Sequence, residues 1–148
     1  MTGIQLGSQP CRCQLDTRAP RLVAITGGPG AGKTAVLEMA GRAFCRHVAV
    51  LPEAAGIVFG GGFPREAGSE PARRAAQRAI FHVQRELERL VVEKQEVAVA
   101  LCDRGTLDGL AYWPGPAEAY WSETGAGKDE ELGRYSAVIQ LATPDGDA

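Results

Sequence analysis

Short, continuous apolar runs alternate along this chain with segments in which apolar residues return every three or four positions. The runs are Arg21-Leu-Val-Ala-Ile-Thr26, His47-Val-Ala-Val-Leu-Pro52, Glu96-Val-Ala-Val-Ala-Leu-Cys-Asp103 and Ala137-Val-Ile-Gln-Leu-Ala142. Unbroken apolarity over so few residues predicts strands buried on both faces of a parallel sheet. Between the first two, Ala35 to Phe44 is predicted helical, with Val36, Met39, Ala40 and Ala43 on its apolar face. The longest regular segment, about Ser69 to Lys94, repeats Ala76, Ile80, Val83, Leu87, Leu90 and Val91 at helical spacing. Ser69 suits its N-cap and Pro71 its first turn. Arg74, Arg78, Arg85 and Arg89 lie off that stripe and read as a solvated face, with Arg89 and Glu93 as an i,i+4 pair.

The connecting segments are less regular. Gly56 to Pro64 reads as a mobile loop, because three consecutive glycines, Gly60 to Gly62, do not hold a helix. Asp108 to Trp113 predicts a short helix stopped by Pro114-Gly-Pro116, and Ala117 to Glu123 and Asp129 to Arg134 are weaker helical pieces. Residues 1–20 are polar and without period, broken by Pro10 and Pro20, and read as a disordered lead-in or an over-long start. One domain over 21–148 is therefore expected. Its four strands are few for such a sheet, and the last lacks a following helix, so a C-terminal truncation is expected as well.

Strands alternating with helices imply an α/β fold with a parallel sheet, whose ligands meet the carboxyl ends of the strands. Composition narrows the partners. A net charge of −2 argues against a general nucleic-acid or membrane-surface binder, which relies on a basic excess. No apolar stretch approaches the roughly 18 residues of a transmembrane helix, and the first twenty residues lack a signal-peptide core. Cys11, Cys13, Cys45 and Cys102 show no C-x-x-C spacing and no paired metal-ligand pattern. Cys11 and Cys13 read as unpaired thiols in a loose tail, Cys45 and Cys102 as small core residues, and a reducing cytoplasm follows.

The chemistry is concentrated where the first strand hands over to the first helix. Gly27-Gly28-Pro29-Gly30-Ala31-Gly32-Lys33-Thr34 fits G-x-x-x-x-G-K-[ST] and leads into Ala35. Closely spaced glycines let backbone N–H groups converge on a phosphate oxygen, and the helix N-terminus adds partial positive charge. Lys33 can reach the β- and γ-phosphates, and Thr34 places a hydroxyl for Mg²⁺. A nucleotide triphosphate, ATP or GTP, is the expected ligand of residues 27–35. Asp103, closing an apolar strand, is the expected second Mg²⁺ ligand beside Thr34; the competing reading is a helix-capping aspartate. The next residue is Arg104, where a motor-type ATPase usually carries a water-activating glutamate, and an arginine there suits phosphoryl transfer or binding better than rapid hydrolysis.

Other candidates stay open at this point. Glu53, at the end of the second strand, is either the base for an acceptor hydroxyl or an ordinary surface carboxylate. Asp108 either caps the following helix or touches substrate. Lys128 and Arg134 belong to a closing lid or to a solvated turn. His47 and His82 read as structural. Tyr112, Trp113, Tyr120 and Trp121 line an acceptor pocket or fill the core.

Taken together, Gly27 to Thr34, Pro52-Glu-Ala-Ala55 and Cys102-Asp-Arg-Gly-Thr-Leu-Asp-Gly-Leu-Ala-Tyr-Trp113 resemble the AAA-domain family of nicotinamide riboside kinase-like (NadR-like) and TRPL translocation defect protein-like ATPases. The resemblance spans roughly residues 21–143, and its Asp-Arg-Gly-x-x-Asp segment is more specific than the phosphate loop. It implies a P-loop NTPase three-layer sandwich with strand order 2-3-1-4 and a fifth strand normally present. It also implies that Glu53 serves as base or acceptor ligand and that the Asp103–Arg104 pair handles metal and phosphate; with Lys33 of the phosphate loop these are the expected catalytic residues, acting on a small-molecule acceptor. One branch of the family implies instead a regulatory module that binds GTP and phosphoinositides, and a slow NTPase is the remaining alternative. The chain contains no asparagine, so the Asn-Lys-x-Asp guanine signature of switch GTPases is absent.

Overall fold

A computed structural model describes residues 3–143. The last residues of the expected domain, 144–148, and the first two of the expected lead-in lie outside the described residues. The sheet has five strands: β1 (Gln5–Leu6), β2 (Arg21–Gly27), β3 (Val48–Leu51), β4 (Val99–Asp103) and β5 (Tyr135–Leu141), in the order β1-β3-β4-β2-β5. The last four run parallel, β2 lying between β4 and β5, and β3 on the far side of β4. Numbered among themselves along the chain, these parallel strands lie in the order second, third, first, fourth. The register sets Ile25 opposite Asp103, so the acid at the end of β4 stands beside the strand that enters the phosphate loop.

Alternate residues of each strand face opposite sides of the sheet, and each side has its own helix. On one side Ile25 and Val50 bury Leu37 of α1 (Lys33–Ala43). On the other, Leu22, Ala24, Ala49, Leu51, Ala100 and Cys102 pack with Leu87 and Val91 of α3 (Glu70–Lys94). The face α1 presents differs from the expected one: Leu37 and Ala40 are buried, whereas Val36 and Met39 are exposed. The phosphate loop fixes where α1 starts, and the rotation of the helix follows from that start. β5 keeps Val138 and Ile139 about half exposed.

Three expectations are corrected. The expected loop from Gly56 begins instead as α2 (Ala54–Gly60), which packs against α3 and buries Ala54 and Val58. Burial of those two residues outweighs weak glycine propensity, and the glycines act as the terminator: Gly61 N–H donates to Ile57 O, and Gly62 takes φ 98°. Residues 5–9 are ordered rather than a disordered lead-in. β1 pairs antiparallel with β3, and Gly7, Ser8 and Gln9 donate backbone N–H groups to Val48, Gly41 and Phe44. The polar composition misleads because the segment gains its order from an edge strand that offers unpaired backbone groups. Cys45 is no core residue; only Cys102 of the four cysteines is buried.

α3 begins as expected, with Ser69 Oγ accepting from the Ala72 N–H at 3.3 Å. Its arginine face is partnered. Arg74 and Arg78 meet Glu123 of α4 (Ala117–Thr124), Arg85 meets Glu131 of α5 (Lys128–Gly133), and Arg89 pairs with Glu86 rather than Glu93. The buried face of α3 includes Gln84 and Glu88, which apolar periodicity alone does not predict, while Leu90 of the expected stripe stays exposed.

Candidate nucleotide site

The phosphate loop connects β2 to α1 and bends through left-handed conformations at Gly30 (φ 77°) and Gly32 (φ 82°), which L side chains rarely adopt. A Cβ at either would meet nothing, so the requirement for glycine there is conformational and the loop faces open space. Gly27 is required for a different reason, because a Cβ would press against the Leu141 carbonyl of β5 at 2.9 Å. No side chain caps α1. Its first-turn N–H groups are thus free of side-chain partners, as an anion site at a helix N-terminus needs.

Four charged residues expected at the site come together at the strand ends. Lys33 Nζ is ion-paired with Asp103 Oδ1 and lies 3.9 Å from Glu53 Oε2. Glu53 Oε1 in turn lies 3.4 Å from Arg104 Nε. The Lys33 and Asp103 side chains are only 10% and 11% exposed, whereas Glu53, at 38%, opens to solvent. Charges therefore alternate along Asp103, Lys33, Glu53 and Arg104. Thr34, Asp103 and Glu53 share the wall of a cavity of about 660 Å³. A second cavity, about 580 Å³, is lined by Glu53, Arg104, Phe59, Arg65, Arg73 and Tyr112, among others. Glu53 is common to both.

The residue after Asp103 is held in a strained state. Arg104 has φ 71°, donates its N–H to Ile25 O at 2.9 Å, and sets its guanidinium 5.9 Å from the Tyr112 ring centroid. A non-glycine residue in that region costs of order 1–3 kcal/mol and persists only where its surroundings over-determine it. Asp108, in the 3₁₀ segment Thr106–Tyr112, accepts from the Gly105 N–H and from Thr26 Oγ1, each at 2.8 Å, so its capping role holds. Beneath lies a buried network that sequence reasoning missed. Glu88, fully buried, accepts from Tyr135 Oη at 2.6 Å, Gln84 Nε2 at 2.7 Å and Arg134 Nη2 at 2.5 Å. Glu131, also fully buried, accepts from Arg85, from Arg134 Nη1 at 2.8 Å and from Thr106 Oγ1 at 2.9 Å.

Arg134 is therefore an anchor, not part of a lid, while Lys128 is solvated. Burial, reinforced by the Glu88 charge, pushes the Tyr135 phenol and the Cys102 thiol above their ordinary pKa ranges; burial does the same to Tyr120. Each stays protonated, and the Cys102 thiol is inert in consequence. Tyr120 and Trp113 are core residues around Phe81, although Trp113 also borders the second cavity with Tyr112. His82 is exposed on α3, with its ring edge-on to Phe81.

A family model described as an AAA domain matches residues 22–148. The chain belongs to the AAA domain family. The match makes this a nucleotide-binding domain of the P-loop NTPase type. No curated protein and no solved structure matches the chain. No described helix of this AAA domain is long and apolar enough to cross a membrane.

Proposed function

We propose that this AAA domain is a cytoplasmic, Mg·ATP-dependent phosphotransferase of the small-molecule kinase type, as the nicotinamide riboside kinase-like resemblance implies. The observation that carries the reading is the position of Glu53. It stands on the wall between the cavity bordered by Thr34 and Asp103 and a second, largely apolar cavity edged by arginines, and it is flanked by Lys33 and Arg104. A donor phosphate on one side and an acceptor hydroxyl on the other would meet at this carboxylate.

The donor set suits magnesium, which takes hard oxygen ligands: the Thr34 hydroxyl and the Asp103 carboxylate border one cavity at the loop. Those two residues would hold the ion, which would draw charge from the phosphate oxygens. Lys33 would exchange its Asp103 partner for phosphate as nucleotide enters. The acceptor oxygen would bond to the γ-phosphorus as the bond to the leaving diphosphate breaks, with the acceptor proton passing to Glu53. Arg104 would stabilise charge on the transferred group. Arg65 and Arg73, on the acceptor side, favour an acceptor that already carries an anionic group.

The test is transfer of labelled γ-phosphate from ATP to a panel of nucleosides, ribosides and their monophosphates. A phosphorylated product that disappears in Glu53→Gln supports the proposal. Tight nucleotide binding with no transfer to any acceptor, indifferent to Glu53→Gln, favours a regulatory GTP- or ATP-binding module.

A further inference from the structure

The end of the sheet away from the phosphate loop holds a second constellation. α1 starts at the loop and ends at Ala43, so Cys45 and His47, in the turn before β3, lie at the opposite end of that helix. The ordered N-terminal segment brings Cys11 and Cys13 to the same place. Gln9 makes a parallel bridge with Cys45, and a Cβ on Gly7 would overlap the carbonyl oxygens of Phe44 and Cys45, so the segment lies hard against this turn. The ligand atoms of Cys11, Cys13, Cys45 and His47 all fall within 4.8 Å of one another.

Hydrogen bonding does not account for the arrangement. His47 Nδ1 lies 3.1 Å from Cys11 Sγ, 3.1 Å from Cys13 Sγ and 3.7 Å from Cys45 Sγ. One ring nitrogen has one proton or one lone pair, so it serves one partner at a time rather than three. A disulfide does not account for it either. Cys13 Sγ is 3.7 Å from both Cys11 Sγ and Cys45 Sγ, and all three thiols are free. A tetrahedral cation at the centre does. With zinc–sulfur bonds of about 2.3 Å and a zinc–nitrogen bond of about 2.0 Å, tetrahedral edges come to roughly 3.8 Å between sulfurs and roughly 3.5 Å between sulfur and nitrogen. The observed separations scatter around those two lengths.

We propose that Cys11, Cys13, Cys45 and His47 bind one zinc ion, which fastens the N-terminal segment to the turn between α1 and β3. Three soft thiolates and an imidazole in tetrahedral array select zinc over hard cations such as magnesium. Four protein ligands leave no open position, so the ion is structural. What it holds has a bearing on the nucleotide site. β1 runs back along β3, pairing Gln5 with Val50, and Gly3 and Gln5 reach the wall of the cavity that contains Thr34 and Asp103. Zinc at one end of the segment thus steadies a cavity wall at the other.

Protein expressed with zinc and purified under reducing conditions without chelator is analysed for metal by mass spectrometry. The expected result is about one zinc per chain in wild type and in Cys102→Ala, falling at least tenfold in Cys13→Ser and Cys45→Ser. Should those variants fail to fold, cobalt(II) added to chelator-stripped wild type decides, by visible ligand-field bands with thiolate charge transfer at one equivalent. Stripping should also speed amide exchange at residues 7–13 while leaving β2 and β4 protected. Wild type that takes up neither metal, zinc that persists in both serine variants, or a disulfide among Cys11, Cys13 and Cys45 in zinc-supplied protein would overturn the assignment.

Discussion

Replacing Arg134 with methionine removes the cation that two fully buried carboxylates share. Glu88 would keep Tyr135 and Gln84 as donors but lose its ion pair, whereas Glu131 would keep Arg85. Breaking a buried pair from one side costs about 3–5 kcal/mol, since a carboxylate is left without its counter-charge. Arg134 is itself 21% exposed, so water recovers part of that loss and the low end, about 3 kcal/mol, applies. Against a total stability of about 5–15 kcal/mol this is severe. For a chain of this size it corresponds to a fall in Tm of roughly 6–12 °C by calorimetry. Glu88→Leu combined with Arg134→Met should recover at least half of the loss, because no unpaired charge is then buried. A single variant that melts within about 2 °C of wild type, or a double variant less stable than the single, would refute the reasoning. The effect reaches the site too. Glu131 and Tyr135 hold Thr106, two residues from Arg104, so the single variant should lose acceptor-side activity before it loses nucleotide affinity.

Three further outcomes are expected. Glu53→Gln, nearly isosteric, should lower kcat by about 10²–10⁴-fold with the KM for ATP unchanged within about threefold, as steady-state kinetics would report; an unchanged kcat removes Glu53 as base. Tyr135 has its pKa raised in the folded state, so both states keep the proton below about pH 10 and stability is level there on this account. Above that the unfolded chain ionises first, and stability should fall by about 1.4 kcal/mol per pH unit per buried tyrosine. Tyr135→Phe should shallow that alkaline slope in denaturant titrations, and an unchanged slope would contradict the burial argument. Ser69→Ala removes the cap of α3 and should cost about 0.5–2 kcal/mol by urea unfolding, with no change in nucleotide affinity.

Features encoded by near neighbours in the chain were legible beforehand. The buried strands announce themselves as apolar runs, and the phosphate loop needs only eight consecutive residues. The meeting of Lys33, Glu53, Asp103 and Arg104 follows once those strands are laid parallel, because strand ends converge. α2 was not legible, since Ala54 and Val58 form a helix only against α3, which local propensity does not see. Nor were Glu88 and Glu131. A glutamate on a helix reads as solvated, and the partners that bury these two come from distant segments. The Cys-Arg-Cys and Cys-Arg-His spacings at residues 11–13 and 45–47 were visible as text. They gain meaning only when β1 pairs with β3 and brings the two tripeptides together.

The central claim is that the loop amides and Lys33 grip a nucleotide polyphosphate, and titration calorimetry with Mg·ATP and Mg·GTP tests it most directly. Wild type should bind at least one of them at one site per chain. Lys33→Ala should weaken that binding by about 10- to 150-fold, the equivalent of losing a charge-assisted contact of about 1.5–3 kcal/mol. Folded protein that binds neither nucleotide, or a Lys33→Ala variant that binds as tightly as wild type, would contradict the account.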